Sequence, residues 1–173
     1  MRIISGKYRG KKLKGFDIEG TRPTMDRVKE SIFGMIQNFI PDSIVLDLFA
    51  GSGSLGLEAI SNGAKSLTLV DNNPVVVKIL KDNIISFDDD IEVLNIDYKR
   101  FLKSTSSKYD VIFLDPPYRA GILNKAIRII EERDLLQDGG IIVCEFEDVS
   151  IECNYRLIKE KKYGTKSVKI YQK

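Results

Sequence analysis

Two stretches of this chain combine residue types that do chemistry with spacings that hold them still. The first is Asp115-Pro116-Pro117-Tyr118, at the end of an apolar run. Consecutive prolines fix φ and push Asp115 and Pro116 towards extended backbone, so the Asp115 carboxylate and the Pro116 carbonyl stand rigidly side by side. That makes two acceptors for one amino group. A conjugated amine attacks an electrophilic methyl more readily when both its N–H bonds are accepted as the nitrogen turns tetrahedral, a gain from positioning and preorganised acceptors rather than from a strong base. Tyr118 follows at the right distance to stack on a base, worth ~1–3 kcal/mol in nucleic-acid sites. The second stretch runs from Ile44 to Gly56, a β-branched run that ends in a glycine turn and passes into Leu57-Glu58-Ala59-Ile60. Strand, tight turn and helix suit a nucleotide-like ligand, with glycines allowing close approach and helix-opening amides facing it. Gly51-x-Gly53-x-x-Gly56 also fits the dinucleotide fingerprint, so the loop alone does not choose between cofactors.

The choice falls to four aspartates, Asp47, Asp71, Asp97 and Asp115, each closing an apolar run. In an alternating strand–helix chain such positions converge on one crevice, and four carboxylates there call for a ligand rich in hydroxyls, amines or positive charge. S-adenosylmethionine carries an ammonium, a sulfonium, a ribose diol and an adenine amine. Asp71 lies 18 residues after Gly53, near the ~20 at which an acid reaches a ribose diol. Asp97 is placed to accept from the adenine amine, and Asp47 suits the ammonium where a pyrophosphate would be repelled. Phe49, Gly51, Ser52, Gly53 and Asn72 complete the expected cofactor wall, with Asp115 at its reacting end. Any one strand-end Asp also serves as an ordinary turn or cap residue.

Composition bounds the rest. At 173 residues and 43% hydrophobic content the chain supports one full core. It has no apolar run of membrane-spanning length and no signal-peptide pattern, so a cytoplasmic protein is expected. There is no His, and Cys144 and Cys153 form no CxxC pair, so imidazole catalysis, a zinc site and a disulfide framework are not suggested and no metal is expected. The net charge of +2 hides segregation: residues 1–14 hold six Lys/Arg and no acid, and residues 156–173 hold seven against Glu160 alone. Two basic ends on a neutral-to-acidic body form a footprint for a phosphate backbone.

The elements that must position these groups read in order. Residues 1–16 form a small hairpin in which Arg2, Lys7, Arg9, Lys11 and Lys12 alternate with Tyr8, an aromatic among cations that suits RNA. A helix follows from about Met25 to Phe39, with Thr24 as N-cap and Val28, Ile32, Met35, Ile36 and Phe39 as its apolar stripe. Strands at 44–47, 67–71, 91–96, 109–114 and 141–146 alternate with helices at 57–60, from Pro74, around Phe101 and from Ile122 to Glu131. A closing hairpin turns at Gly164-Thr165. The expectation is an α/β, doubly wound, Rossmann-like sheet, mostly parallel with a C-terminal antiparallel hairpin and a small N-terminal hairpin and helix. Residues 1–40 form an extension and 41–173 the main domain.

Val45-Leu46-Asp47-Leu48-Phe49-Ala50-Gly51-Ser52-Gly53 followed by Asp115-Pro116-Pro117-Tyr118 resembles the class I S-adenosylmethionine-dependent methyltransferases that act on an exocyclic amino nitrogen. More narrowly, Arg2 to Gly10 and Arg22 to Phe33 resemble the RsmD-type family, which methylates N2 of one guanine in bacterial 16S ribosomal RNA. The resemblance runs nearly end to end. It implies a cofactor cleft over Asp47 to Gly53, a base pocket at Asp115 to Tyr118, and a cofactor-side role for Arg22-Pro23-Thr24, read as Arg22 and Thr24. Asp71 stands where the family more often has Glu. The implied partner is small-subunit rRNA or the 30S particle, met by a monomer with no protein partner. Three other readings compete. A DNA or RNA adenine-N6 methyltransferase uses the same amine chemistry, although no sizeable domain for reading a DNA site is present. A nicotinamide-dependent oxidoreductase leaves Asp47 and the Asp-Pro-Pro-Tyr turn unexplained. A non-catalytic ribosome-assembly factor leaves the complete motif set without a purpose.

Overall fold

Short β-branched runs that are apolar on both faces belong inside a sheet covered on two sides, and here they form one. The computed structural model describes residues 1–15, 22–117 and 121–173, with 22–25 described as backbone only. Helix α1 (Arg22–Ile36) leads into β1 (Ile44–Asp47), α2 (Ser54–Ser61), β2 (Ser66–Asp71), α3 (Pro74–Ile84), β3 (Asp90–Asn95), α4 (Tyr98–Ser104), β4 (Tyr109–Leu114), α5 (Ile122–Glu132) and β5 (Leu136–Glu147), and the hairpin β6 (Arg156–Tyr163) and β7 (Lys166–Gln172) closes the chain. The strand order is β3-β2-β1-β4-β5-β7-β6. The pairs β1–β2, β2–β3, β1–β4 and β4–β5 are parallel, while β7 runs antiparallel to both β5 and β6. Winding reverses between β1 and β4. A crevice therefore opens beyond the carboxyl ends of those two strands.

Alternation along each strand splits the core into two layers. Val45, Val111, Phe113 and Val143 face α1, α2 and α3, where Val28, Ile32 and Ile36 supply the α1 contact. Leu46, Ile112, Leu114 and Ile142 face α4 and α5. Helix α1 starts at Arg22, earlier than the periodicity suggests, so Thr24 lies within the helix and is not its N-cap. Pro23 is tolerated there because first-turn amides have no intrahelical acceptor. Phe39 falls in a 3-10 turn over Gln37–Phe39. Strand β5 begins at Leu136, well before the apolar run at Ile141, because a register irregularity near Gly139 (φ 77°) lets the chain rejoin the sheet. Among the described residues no helix is long and apolar enough to cross a membrane.

The N-terminal residues double back as expected, with one antiparallel bridge, Arg2 to Lys12, rather than a ladder. Ile3 N–H donates to the Lys11 carbonyl and Gly10 N–H to that of Ile3, both at 2.9 Å. Ile3 and Leu13 are buried in the α1-side core. Between them the chain is pinned to the end of α2, where Lys7 N–H donates to the Ser61 carbonyl at 2.7 Å. Gly6 makes this approach possible: its φ is 74°, and a Cβ there would lie 1.8 Å from the Ser61 carbonyl oxygen.

Candidate active site

Strand β1 delivers Asp47 to the crevice, and its neighbour β4 delivers Asp115, since Asp47 pairs with Phe113 two residues upstream. Both carboxylates lie on the α1 side of the sheet, continuing the alternation of Val45 and Phe113. Asp47 is 2% exposed, and its Oδ2 accepts the Gly56 N–H at 3.0 Å, so the carboxylate is tied to the first turn of the helix that follows it. A Cβ on Gly56 would meet Leu67 and Leu69 at 2.8 Å, which is why α2 sits directly against β2. Asp71, at the end of β2, accepts Gly51 N–H at 3.2 Å through Oδ2 and Asn73 N–H at 2.9 Å through Oδ1. These three aspartates are brought together. Asp97 stands one strand further out and caps α4, with Oδ1 accepting the Lys99 and Arg100 amides at 3.0 and 3.2 Å. That is the ordinary cap role of a strand-end Asp.

Electrostatics mark the crevice. Burial pushes the Asp47 carboxyl up to about 7, opposed by the Gly56 N–H and reinforced by the Asp71 charge. Burial also pushes Asp115 up to about 7, with the Glu145 charge adding to it, Lys166 opposing and Asp47 adding a little more. Burial holds both carboxyls up, and the Lys166 charge offsets it only in part at Asp115, so neither has a full countercharge. A ligand that brought positive charge would supply it.

The loop has its own supports. Ser52 is buried, its carbonyl accepts Asn83 Nδ2 at 3.0 Å, and its hydroxyl meets Met1 Sδ at 3.1 Å. The Phe49 ring stands 5.2 Å from that of Tyr98, and Asn72 is exposed. Pro116 is buried and Pro117 exposed. Tyr118 and the side chains of Arg22 and Thr24 lie outside the described residues.

The N-terminal basic residues are held in different ways. Arg2 pairs with Asp26 at 3.3 Å and Lys7 with Asp89 at 3.4 Å. Tyr8 lies against Phe87, centroids 4.4 Å apart, and its hydroxyl donates to Asp89 at 2.5 Å. Lys11 sits over the Tyr8 ring at 4.5 Å and donates to the Ser86 carbonyl. Arg9 and Lys12 are exposed, with no ion pair to a described residue. Arg2 and Arg9 line, with Asp26 and Phe33, a cavity of about 470 Å³ between this segment and α1. The C-terminal basic strand also meets α1, where Lys159 donates to the Met35 carbonyl at 2.7 Å and Lys161 to Ser31 Oγ at 3.0 Å.

Two features were not visible in residue spacing. Lys29 and Glu58 form an ion pair at 3.0 Å with side chains 5% and 0% exposed. Lys29 also donates to the Arg2 carbonyl at 2.6 Å, and Glu58 accepts the Ile4 and Ser5 amides, so one pair fastens α1, α2 and the N-terminal segment behind the glycine loop. Glu145 is the second: buried at 9% exposure and paired with Lys166, it stands beside Asp115. Its one sequence signal is a charge inside the apolar run Ile141 to Phe146.

Comparison with known proteins follows the same outline. The family model described as Conserved hypothetical protein 95 matches residues 1–172. The Haemophilus influenzae protein named Ribosomal RNA small subunit methyltransferase D is 39% identical over 181 residues, spanning 99% of this chain and 93% of its own. The Escherichia coli protein of the same name is 36% identical over 178 residues, spanning 100% and 90%. Among solved structures, Escherichia coli yhhF is similar with a TM-score of 0.90 at 35% identity, covering 100% of this chain and 97% of that one.

Proposed function

Since the chain belongs to the Conserved hypothetical protein 95 family, the RsmD family, we propose that it methylates ribosomal RNA of the small subunit, at the exocyclic N2 amine of a guanine. It is a methyltransferase, and its methyl donor is S-adenosylmethionine. The observation that carries the reading is the pair Asp47 and Asp115, two carboxyls set by adjacent strands on one side of the switch point and both pushed up by burial. That donor set fits a cationic cofactor, whose ammonium and sulfonium would bring the missing countercharge. Bound there, S-adenosylmethionine supplies an electrophilic methyl on sulfur.

The chain's own residues do the rest. Asp47 faces the ammonium side, the Gly51 to Gly53 backbone allows close approach, and Asp71 offers acceptors to a ribose diol. Asp115 and the Pro116 carbonyl accept the two N–H bonds of the base amine and orient its nitrogen for in-line attack. That nitrogen would take the methyl carbon of S-adenosylmethionine while the bond pair stays on sulfur, and the proton the amine then sheds would pass along its hydrogen bond to the Asp115 carboxylate. Tyr118 stacks on the flipped base, and residues 1–40 add RNA contacts through Arg9 and Lys12 and, at the start of α1, Arg22 and Thr24 on the cofactor side. Basic ends that both meet α1 support an RNA backbone as the partner.

The test is transfer from radiolabelled S-adenosylmethionine to small subunits lacking their own base methylation, followed by nucleoside analysis. Label in N2-methylguanosine is expected. Label in N6-methyladenosine would keep the chemistry and overturn the base, and no label on RNA despite cofactor binding would overturn the substrate.

A further inference from the structure

Asp115 alone does not select a base, because the 2-amine of guanine and the 6-amine of adenine both offer two N–H bonds. The neighbouring atom does distinguish them. Next to its amine guanine presents N1–H and then the O6 carbonyl, whereas adenine presents a bare N1 acceptor.

The sheet places two charged side chains beside Asp115. Leu114 pairs with Cys144, so Asp115 and Glu145 are the next residues in register on adjacent parallel strands. Both continue the α1-side alternation, Asp115 after Phe113 and Glu145 after Val143. On the far side of β5, Lys166 shares that side with Val168 and Ile170, and its ammonium reaches back to Glu145 Oε1. Asp47, Asp115, Glu145 and Lys166 therefore form one row along the carboxyl edge of β1, β4 and β5 and the start of β7. Glu145 is 9% exposed. The Lys166 ammonium supplies the countercharge a buried carboxylate needs and holds the Glu145 side chain in place beside Asp115.

We infer that Glu145 and Lys166 read the ring beside the amine, Glu145 accepting guanine N1–H and Lys166 donating to O6 while Asp115 holds N2. This rests on the guanine reading above. An ammonium has three donors, so Lys166 serves Glu145 and O6 together. Against adenine the same row sets a carboxylate on a bare lone pair.

The experiment compares wild-type kcat/KM on small-subunit RNA carrying, at the methylated position, either guanine or 2,6-diaminopurine. The analogue keeps the 2-amine but presents a bare N1 and an amine in place of O6. Guanine should be preferred by at least about 10²-fold, because unmatched buried polar groups reject an analogue strongly. In Glu145→Gln the side-chain amide can donate to the bare N1, and the preference should narrow by about tenfold or more. Equal wild-type use of both bases overturns the inference without needing any variant to fold. Equal losses on both bases in Glu145→Gln, with cofactor affinity retained, also overturn it and leave a plain ion pair closing β5 on β7. If the wild type makes no N2-methylguanosine at any position, the guanine reading fails first and this one falls with it.

Discussion

Carboxylates in the crevice and carboxylates around the N-terminal segment are handled in opposite ways. In the crevice, Asp47 and Asp115 are withdrawn from water beside like-charged neighbours, Asp71 and Glu145, and are pushed up to about 7. Around the N-terminal segment, Asp82, Asp89 and Glu58 each meet a cation: Lys14 at 2.8 Å, Lys7 at 3.4 Å and Lys29 at 3.0 Å. The first region keeps a charge imbalance that a ligand relieves. The second is already neutralised and serves as a fastening. A lysine-rich stretch thus need not be a lysine-rich surface for binding, and only its unpaired members should act at long range.

The largest effect should come from Asp115→Ala, which leaves an amine without its acceptor. Turnover should fall by at least about 10³-fold while cofactor affinity changes only a few-fold. A variant with near-wild-type kcat in single-turnover assays would remove Asp115 from the chemistry. Next is Lys29→Met, which strands Glu58 without a countercharge and should lower unfolding free energy by about 3–5 kcal/mol. An unchanged urea midpoint would show that the N-terminal segment is fastened by other interactions.

Asp47→Asn reads the imbalance directly. Its folded-state carboxyl lies at about 7 against an ordinary 3.8, so between those values the folded chain holds more protons than the unfolded one. Stability from this group therefore falls as pH rises through that window, and the penalty is complete above about 7, at about 1.4 kcal/mol per unit. The amide should melt higher than the wild type at pH 8, match it near pH 4, and bind cofactor more weakly. Thermal unfolding at both pH values checks this, and a lower melting point at pH 8 would contradict it. The smallest effect separates cations within one segment. Arg9→Ala with Lys12→Ala should flatten the salt dependence of RNA binding by about 0.7–0.9 in slope for each phosphate no longer neutralised. Lys7→Ala should change the slope less, since Asp89 already offsets that ammonium.

The strands were legible because runs such as Val111-Ile112-Phe113-Leu114 are apolar on both faces, which only a covered sheet accepts. Their aspartate ends were legible for the same reason, since polarity returns where the sheet stops. The start of β5 was not, because Gln137-Asp138-Gly139 gives no apolar signal and depends on an irregular register with β4. Nor were the partners of Lys7, Lys29 and Glu145, which lie far away in sequence and meet only when helices and strands have packed. Periodicity reports which face of an element is buried. It is silent on which buried charge finds which.

Helix α1 has a consequence for how the chain comes off a ribosome. Its Ser31 hydroxyl is met by Lys161 and Tyr163, and its Met35 carbonyl by Lys159, more than 120 residues downstream. Its Lys29 waits for Glu58. Synthesis is vectorial, and pairings of such separation close late. One of the earliest helices to be made is thus among the last to have its polar contacts secured, and its apolar stripe stays partly uncovered until β4 has emerged with Val111 and Phe113.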